Sequence, residues 1–158
     1  MAYDVPAGAS FAYETSLRSL EEQLRRIEAL DTKAGVLLAA DGVLAGFLFS
    51  RGSILLRAPD WIAISAASAI VASMALALVG FAARQYKASP RPEAIVRRAG
   101  ASEVWLKWRF VPNVLRAFDL NAIKLATKAR FIVLSLLTLL VGVGTTGAYL
   151  VFTIVTTQ

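Results

Sequence analysis

The chain has 158 residues, is 57% hydrophobic, carries a formal net charge of +6, and contains neither cysteine nor histidine. These absences exclude disulfides, Cys- or His-ligated metals, thiol nucleophiles and the Ser-His-Asp triad. No carboxylate pair or Gly-rich phosphate loop takes their place, so we expect no enzyme and no cofactor. The length predicts one domain, and the composition predicts an all-α integral membrane protein.

The N-terminal part of the chain is predicted to be a tail followed by an amphipathic helix. Residues 1–10 contain Pro6 and Gly8 and are expected to be a flexible tail. Residues 11–33 have apolar side chains at spacings of three and four with charged residues between them, the pattern of a helix with one apolar face. The apolar positions are Leu17, Leu20, Leu24, Ile27 and Leu30. No Pro or Gly interrupts residues 14–34, so this helix is expected to continue into the next segment.

Three nearly uncharged stretches predict transmembrane helices at 34–50, 61–83 and 131–155. About 20 apolar residues are needed to cross the hydrocarbon core as a helix. The second and third stretches contain no Asp, Glu, Lys or Arg, and the first contains only Asp41. We therefore expect three spans, of which the first is the shortest.

Residues 84–130 form a basic segment between the second and third predicted spans. Its first helix is expected over Glu93–Val111, where aromatic and basic residues alternate. That helix either lies at the lipid headgroups or packs its rings on neighbouring helices. Pro112 is expected to begin a second helix. The apolar stripe of this second helix is predicted at Leu115, Phe118, Ala122, Leu125 and Ala129, and its basic residues before the third span are Lys124, Lys128 and Arg130.

The distribution of basic residues predicts the orientation of the spans in the membrane. Residues 1–33 and 84–130 hold 15 of the 17 Lys and Arg residues. The positive-inside rule places both segments in the cytoplasm and the C-terminus outside. Residues 1–33 have more acidic than basic side chains, so the two segments are expected to pack as a small cytoplasmic helical bundle. The basic excess is typical of contact with the lipid bilayer rather than with nucleic acid.

Polar residues in and beside the spans are the candidate functional groups. Asp41 lies inside the first span, where an ionised carboxylate costs roughly 2.5–3.5 kcal/mol. It is expected to be protonated, to face water or to hydrogen-bond to hydroxyls, with Ser73 and Thr138 at equal depth. One interpretation is an ion path or gating site, and the other is a hydrogen bond that packs the helices. Gly42 and Gly46 form a GxxxG pair that predicts a helix contact.

The segment Asp31-Thr32-Lys33-Ala34 opens the first span. Lys33 is expected to reach the membrane interface, and Asp31 lies on the face of the helix that points at its neighbours. If the first and third spans begin at similar depth, Lys128 is level with Asp31. The two side chains are therefore expected either to form an ion pair or to be solvated separately at the headgroups.

The order of these features resembles a known family. Asp31-Thr32-Lys33-Ala34 leads into Gly-Val-Leu-Leu-Ala-Ala-Asp-Gly-Val-Leu, a basic Pro-containing turn follows the second span, and Asn121, Lys124 and Lys128 precede the third. This pattern is similar to the transmembrane effectors of Pycsar anti-phage defence, the PycTM-type domain, over about residues 14–150. In that family a D-x-K-A motif opens the first span and a Lys-containing helix leads into the last. The chain shows neither a separate cyclic-nucleotide-binding domain nor the Phe-Gly loop motif associated with the family.

The resemblance implies a membrane effector that impairs the inner membrane after a cyclase has made cyclic CMP or cyclic UMP. We expect such an effector to act as a homo-oligomer, because three helices do not enclose a wide aqueous path. Its partners would be the bilayer and either a cyclic pyrimidine nucleotide or a cytoplasmic sensor protein. The alternatives are a membrane anchor or scaffold for a cytoplasmic partner, and a small channel or transporter subunit that uses Asp41.

Overall fold

A computed structural model describes residues 5–50, 60–82, 86, 87, 93, 96 and 100–156. Within these residues the chain forms three long helices and no strand, as the predicted all-α class requires. The helices are α1 (Ala9–Ser50), α2 (Asp60–Phe81) and α3 (Glu103–Thr156). The predicted turn between the first two spans lies outside the described residues. Of the predicted separate helix at Glu93–Val111, residues 94, 95 and 97–99 lie outside them, and the part from Glu103 onward belongs to α3.

Helix α1 joins the predicted amphipathic helix and the predicted first span in one element of 42 residues. It begins at Ala9, whose backbone N–H donates to the Pro6 carbonyl at 3.0 Å, so Ala9 and Ser10 belong to the helix and not to a tail. The helix passes through Gly35 without interruption. Continuity follows from the absence of proline, because a lone glycine costs a helix only about 1 kcal/mol.

Buried positions recur along each helix mostly at steps of three, four or seven residues. On α1 the fully buried side chains include Leu20, Ile27, Ala34 and Asp41, each seven residues after the last. On α2 the buried positions are Ala66, Ile70, Ser73, Ala77 and Gly80. On α3 a seven-residue series runs through Val114, Asn121, Lys128, Ser135, Gly142 and Tyr149. A seven-residue period keeps one face of a helix against its neighbours over many turns, as in left-handed helix packing.

Helix α3 corrects two predictions about the basic segment. Pro112 lies inside the helix and does not begin a new one. Proline in a helix interior removes one backbone hydrogen bond, but Pro112 is exposed while Val111 and Val114 on either side of it are buried. Burial of Val111 and Val114 offsets the free-energy cost of the hydrogen bond lost at Pro112. The predicted stripe was also displaced, because Leu115 is 48% exposed and the buried face runs through Val114 and Ala117.

The chain divides into two compact units: Met1–Ala29 with Ala83–Ala126, and Leu30–Ala82 with Thr127–Gln158. In the first unit, the start of α1 packs on α3 through Leu20, Val114 and Ala117, with Tyr13 and Phe118 against them. This is the helical packing predicted for the two extensions. Its position in the cytoplasm stays a prediction.

Polar contacts extend the packing of the first unit. The Gln23 side-chain amide donates to the Phe118 carbonyl at 3.1 Å. The buried Asn121 side chain accepts from the Lys87 N–H at 3.0 Å and donates to the Lys87 carbonyl at 2.9 Å. Asn121 thereby satisfies both backbone polar groups of a residue outside the described helices, which holds that residue against α3.

The second unit has an apolar exterior. Trp61–Phe81 and Glu103–Phe152 are long and apolar enough to cross a membrane, and only 22% of the most apolar window of each is buried. Large exposed side chains include Val71, Leu78, Leu137, Leu140 and Val141, whereas Asp41, Ser73, Lys128 and Ser135 are buried. The described residues thus contain two candidate membrane spans. A third span at 34–50 stays a prediction.

Candidate functional site

Three buried polar side chains from three helices meet inside the second unit. Asp41 of α1, Ser73 of α2 and Ser135 of α3 each have 0% exposure. Each occupies a buried position of the seven-residue pattern of its helix, and for this reason the three face one another. We refer to Asp41, Ser73 and Ser135 as the polar cluster.

Short hydrogen bonds connect the polar cluster. The Ser73 hydroxyl lies 3.0 Å from Asp41 Oδ2, 3.0 Å from the Ser135 carbonyl oxygen and 3.1 Å from Ser135 Oγ. The Ser135 hydroxyl donates in turn to the Ser73 carbonyl at 3.0 Å. The two serines therefore bridge α2 and α3 reciprocally, and Asp41 attaches α1 to that bridge.

Asp41 is incompletely satisfied within the described residues. Its second oxygen, Oδ1, is buried and has no hydrogen-bond partner there. A buried carboxylate normally needs a cation or several donors to offset its lost hydration. No Lys or Arg occurs in Ala34–Ser50, Trp61–Phe81 or Phe131–Thr156.

The structure places one predicted partner of Asp41 correctly and corrects the other. Ser73 contacts Asp41 as expected, but Thr138 donates to carbonyls of its own helix, those of Leu134 at 3.0 Å and Ser135 at 2.8 Å. On α3 it is Ser135, and not Thr138, that joins the polar cluster, through its contacts with Ser73. The seven-residue spacing from Lys128 to Ser135 was the sequence signal that identifies the correct residue.

The ion pair between Asp31 and Lys128 is present in the second unit. The Lys128 ammonium donates to Asp31 Oδ1, and the Lys128 side chain is 2% exposed while that of Asp31 is 37% exposed. Ala34 is fully buried one turn after Asp31, whereas Lys33 is exposed. Of the D-x-K-A residues, Asp31 and Ala34 thus face the protein and Lys33 faces outward.

The other two basic residues singled out before the third span differ from Lys128. The Lys124 ammonium lies over the Tyr86 ring, 5.9 Å from its centre, within the first unit. Such a cation–π contact contributes about 0.5–1 kcal/mol at an exposed site. Arg130 is exposed. The three residues therefore do not form one basic face.

The predicted glycine contacts fall on different glycines. A Cβ added at Gly42 or Gly46 would meet nothing within 4 Å, so as a contact inside the chain the GxxxG prediction is wrong. A Cβ at Gly80 would lie 3.2 Å from Ile132 Cγ1, and one at Gly142 would lie 3.2 Å from Ile70 Cγ1. These two glycines, each at a buried position of its helix, allow α2 and α3 to approach closely.

The other surfaces of the described residues show no metal site and include an apolar groove. No group of three or more His, Cys, Asp or Glu side chains in this part of the chain could hold a metal ion. A groove of about 410 Å³ lies between α2 and α3 and is lined by Trp61, Ile62, Ser65, Thr145, Ala148, Tyr149 and Phe152. Its lining is almost entirely apolar, as expected of a surface that faces lipid.

Comparison of the chain with protein-family models, curated proteins and solved structures gives no match. Arguments about function therefore depend on the residues and contacts of the chain itself.

Proposed function

We propose that the chain is a three-span protein of the bacterial inner membrane, with a cytoplasmic N-terminus and an external C-terminus. The observation that carries this proposal is the exterior of the second unit, where large apolar side chains are exposed and the charged and hydroxyl side chains Asp41, Ser73, Lys128 and Ser135 are buried. Such an arrangement suits lipid and not water, because exposed apolar patches of this extent are rare on soluble proteins. The charge distribution supports the orientation.

We further propose that the protein is a non-enzymatic effector of nucleotide-linked anti-phage defence, which impairs the membrane after homo-oligomerisation. The support is the resemblance to PycTM-type domains together with the ion pair that joins Asp31 of the D-x-K-A motif to Lys128 before the third span. The pair makes these motif residues a structural unit at the start of the membrane segment. Its signal would be a cyclic pyrimidine nucleotide or a cytoplasmic sensor.

Induced expression in a bacterium tests the effector role. Membrane potential and dye entry are recorded before and after cyclic CMP or cyclic UMP is supplied. We expect wild-type protein to depolarise the cells when the nucleotide is present. Asp31→Ala should abolish this response, and Arg130→Met, which alters an exposed basic residue nearby, should preserve it.

An unchanged membrane would contradict the effector role. The effector proposal is wrong if wild-type protein reaches the membrane and yet membrane potential and permeability stay unchanged with either nucleotide. A co-expressed pyrimidine cyclase must also produce no response for this conclusion.

A second candidate, a small channel or transporter subunit, is favoured by the polar cluster. A buried carboxylate within a predicted span is a frequent feature of ion and proton pathways. Continuous ion flux into vesicles that contain only the purified protein, without any nucleotide, would favour this candidate over the effector.

A further inference from the structure

The Ser73 hydroxyl has more oxygen neighbours than it has protons. Three oxygens lie within 3.1 Å of Ser73 Oγ: Asp41 Oδ2, the Ser135 carbonyl and Ser135 Oγ. A hydroxyl donates one hydrogen bond and accepts two. Only one of these contacts can use the Ser73 proton, so the protonation state of Asp41 determines whether the others are favourable.

An ionised Asp41 leaves the polar cluster short of protons. A carboxylate only accepts, so the Ser73 proton must point at Asp41 Oδ2. The Ser73 oxygen then faces the Ser135 carbonyl oxygen at 3.0 Å with no proton between them. Two acceptors at that distance repel each other, and all three residues are fully buried.

A protonated Asp41 supplies the polar cluster with one more proton. Its Oδ2–H can donate to the Ser73 hydroxyl, Ser73 to the Ser135 carbonyl, and Ser135 to the Ser73 carbonyl. Each of these three 3.0 Å contacts then has its own proton and only the 3.1 Å contact between the two serine hydroxyls has none, whereas an ionised Asp41 leaves two of the four contacts without a proton. The buried Oδ1, which has no partner among the described residues, becomes the carbonyl oxygen of a neutral acid, whose burial costs much less than that of a charge.

Among the described residues, no charged side chain lies close enough to Asp41 to compensate its ionised form. Trp61–Phe81 of α2 has no charged residue, and Phe131–Thr156 of α3 has only the titratable hydroxyl of Tyr149, fourteen residues beyond Ser135. On α1 the closest charged residue is Lys33, more than two turns away, and Asp31 is already paired with Lys128. The other charged positions at or near the ends of these segments are Arg51, Asp60, Arg84 and Arg130.

We propose that the polar cluster of Asp41, Ser73 and Ser135 is a proton-binding site that is occupied in this structure and holds α1 against α2 and α3. Release of the proton places an uncompensated charge between the helices and weakens their contact. The ligand is a proton and not Na⁺, because the oxygens lie at hydrogen-bond distance from one another and are not spaced around a central ion. The inference does not depend on the effector role.

Infrared spectroscopy of the purified protein in phosphatidylethanolamine–phosphatidylglycerol vesicles tests the site. Spectra are recorded from about pH 5 to about pH 9, where an ordinary Asp, with a pKa of about 3.9, is ionised throughout. We expect a carboxylic-acid C=O band in wild type at neutral pH. Asp41→Asn should remove it, Ser73→Ala should shift it through the lost hydrogen bond, and Asp119→Asn, at an exposed carboxyl on α3, should leave it unchanged.

Three results would overturn the proposal. The first is a helical, membrane-inserted wild type with no such band at neutral pH. The second is a band that persists unshifted in both Asp41→Asn and Ser73→Ala, which assigns it to another carboxyl. The third is a band that disappears when Na⁺ replaces choline at constant pH, which makes the metal ion the ligand. If Asp41→Asn does not fold, the shift in Ser73→Ala still decides the assignment.

Discussion

At the scale of single residues, Asp31 and Lys128 are unequal partners. Lys128 is almost completely buried, while Asp31 retains contact with solvent. Replacing Asp31 takes the carboxylate away from the buried Lys128 ammonium, which is costly. Replacing Lys128 removes the buried charge and leaves only the partly exposed Asp31 carboxylate. The two substitutions should therefore differ in their effect on stability.

We predict that Asp31→Ala lowers the free energy of unfolding more than Lys128→Met does. A hydrogen bond to a charged group is worth about 1.5–3 kcal/mol, and Asp31→Ala should cost an amount in this range. Lys128→Met retains the packing of the stem and should cost less. Thermal unfolding of the protein in detergent, followed by circular dichroism, measures both, with Arg130→Met as the exposed control.

The double variant Asp31→Ala/Lys128→Met should be no less stable than Asp31→Ala alone, because it no longer buries an ammonium that has lost the Asp31 carboxylate. Additive losses in the two single variants and the double variant would mean that the pair does not couple. That result would remove the ion pair from the account of the membrane segment.

At the scale of helices, contacts between α2 and α3 depend on Gly80 and Gly142. We predict that Gly142→Leu destabilises the protein by about 1–3 kcal/mol, because Ile70 and Ala69 already lie 3.2 and 3.4 Å from the first added carbon. Gly46→Leu should not destabilise the protein, since its position is open within the chain and leucine is more favourable than glycine in a helix by up to about 1 kcal/mol. Thermal unfolding of the two variants side by side makes the comparison.

Equal losses in Gly142→Leu and Gly46→Leu would show that the glycine contacts described here do not determine how the helices pack. A normal melting temperature for Gly46→Leu with a changed cross-linking pattern would assign Gly42 and Gly46 to a contact between copies of the chain.

The first unit contains a charge cluster between α1 and α3. Lys107 lies 2.9 Å from carboxylate oxygens of both Glu14 and Glu103. A hydrogen bond from Lys107, followed by its charge, lowers the pKa of Glu103. Hydrogen bonds to Glu103 and then to Glu14 raise the pKa of Lys107. Burial also raises the pKa of the nearby Tyr13 hydroxyl, against the smaller opposing effect of the Lys107 charge.

These shifts predict how the cluster responds to pH. Because the folded pKa of Glu103 is lowered, its contribution is present above the ordinary Glu pKa of about 4.3 and is lost as pH falls through the lowered value. Because that of Lys107 is raised, its contribution is present below about 10.4 and is lost as pH rises through the raised value. The difference in melting temperature between wild type and Lys107→Met should therefore be largest between these limits.

The measurement is a series of thermal unfolding curves across the pH range, with Arg109→Met as the exposed control on the same helix. A difference between wild type and Lys107→Met that stays constant into strong acid would show that the carboxylates do not contribute through their charge. Arg109→Met should follow the wild-type profile throughout.

At the scale of the whole molecule, the number of spans determines which segments share a side of the membrane. If α1 crosses the membrane, the N-terminus and the segment before α3 lie on the same side, and the C-terminus lies opposite. If only α2 and α3 cross, the N-terminus and the C-terminus share a side and the segment before α3 is opposite.

We predict that reporters at Met1 and Gly100 are both cytoplasmic and that a reporter after Gln158 is external, because 15 of 17 basic residues lie in the first two segments. Alkaline phosphatase and green fluorescent protein fusions report the two sides in complementary ways. Reporters at Met1 and Gly100 on opposite sides would exclude the three-span topology and favour two spans.

The sequence by itself predicted the all-α class, the uncharged stretches and, as one of two alternatives, the Asp31–Lys128 ion pair. Hydropathy, proline positions and charge counts are properties of short segments, and they do not depend on which face of one helix meets another. For the same reason the sequence identified Asp41 as an unusual residue and Ser73 as its partner, without identifying Ser135.

Tertiary structure alone decided which face of each helix is buried against its neighbours. Successive residues on a helix point about 100° apart, so an error of one position moves Leu115 from the predicted core to the surface and replaces it with Val114. The α3 residue of the polar cluster changed for a related reason. A long helical side chain such as that of Lys128 extends toward the start of its own helix, so the Lys128 backbone need not be level with Asp31, and Ser135 instead of Thr138 joins the cluster through Ser73. Side-chain length and helix rotation are settled only when the helices pack.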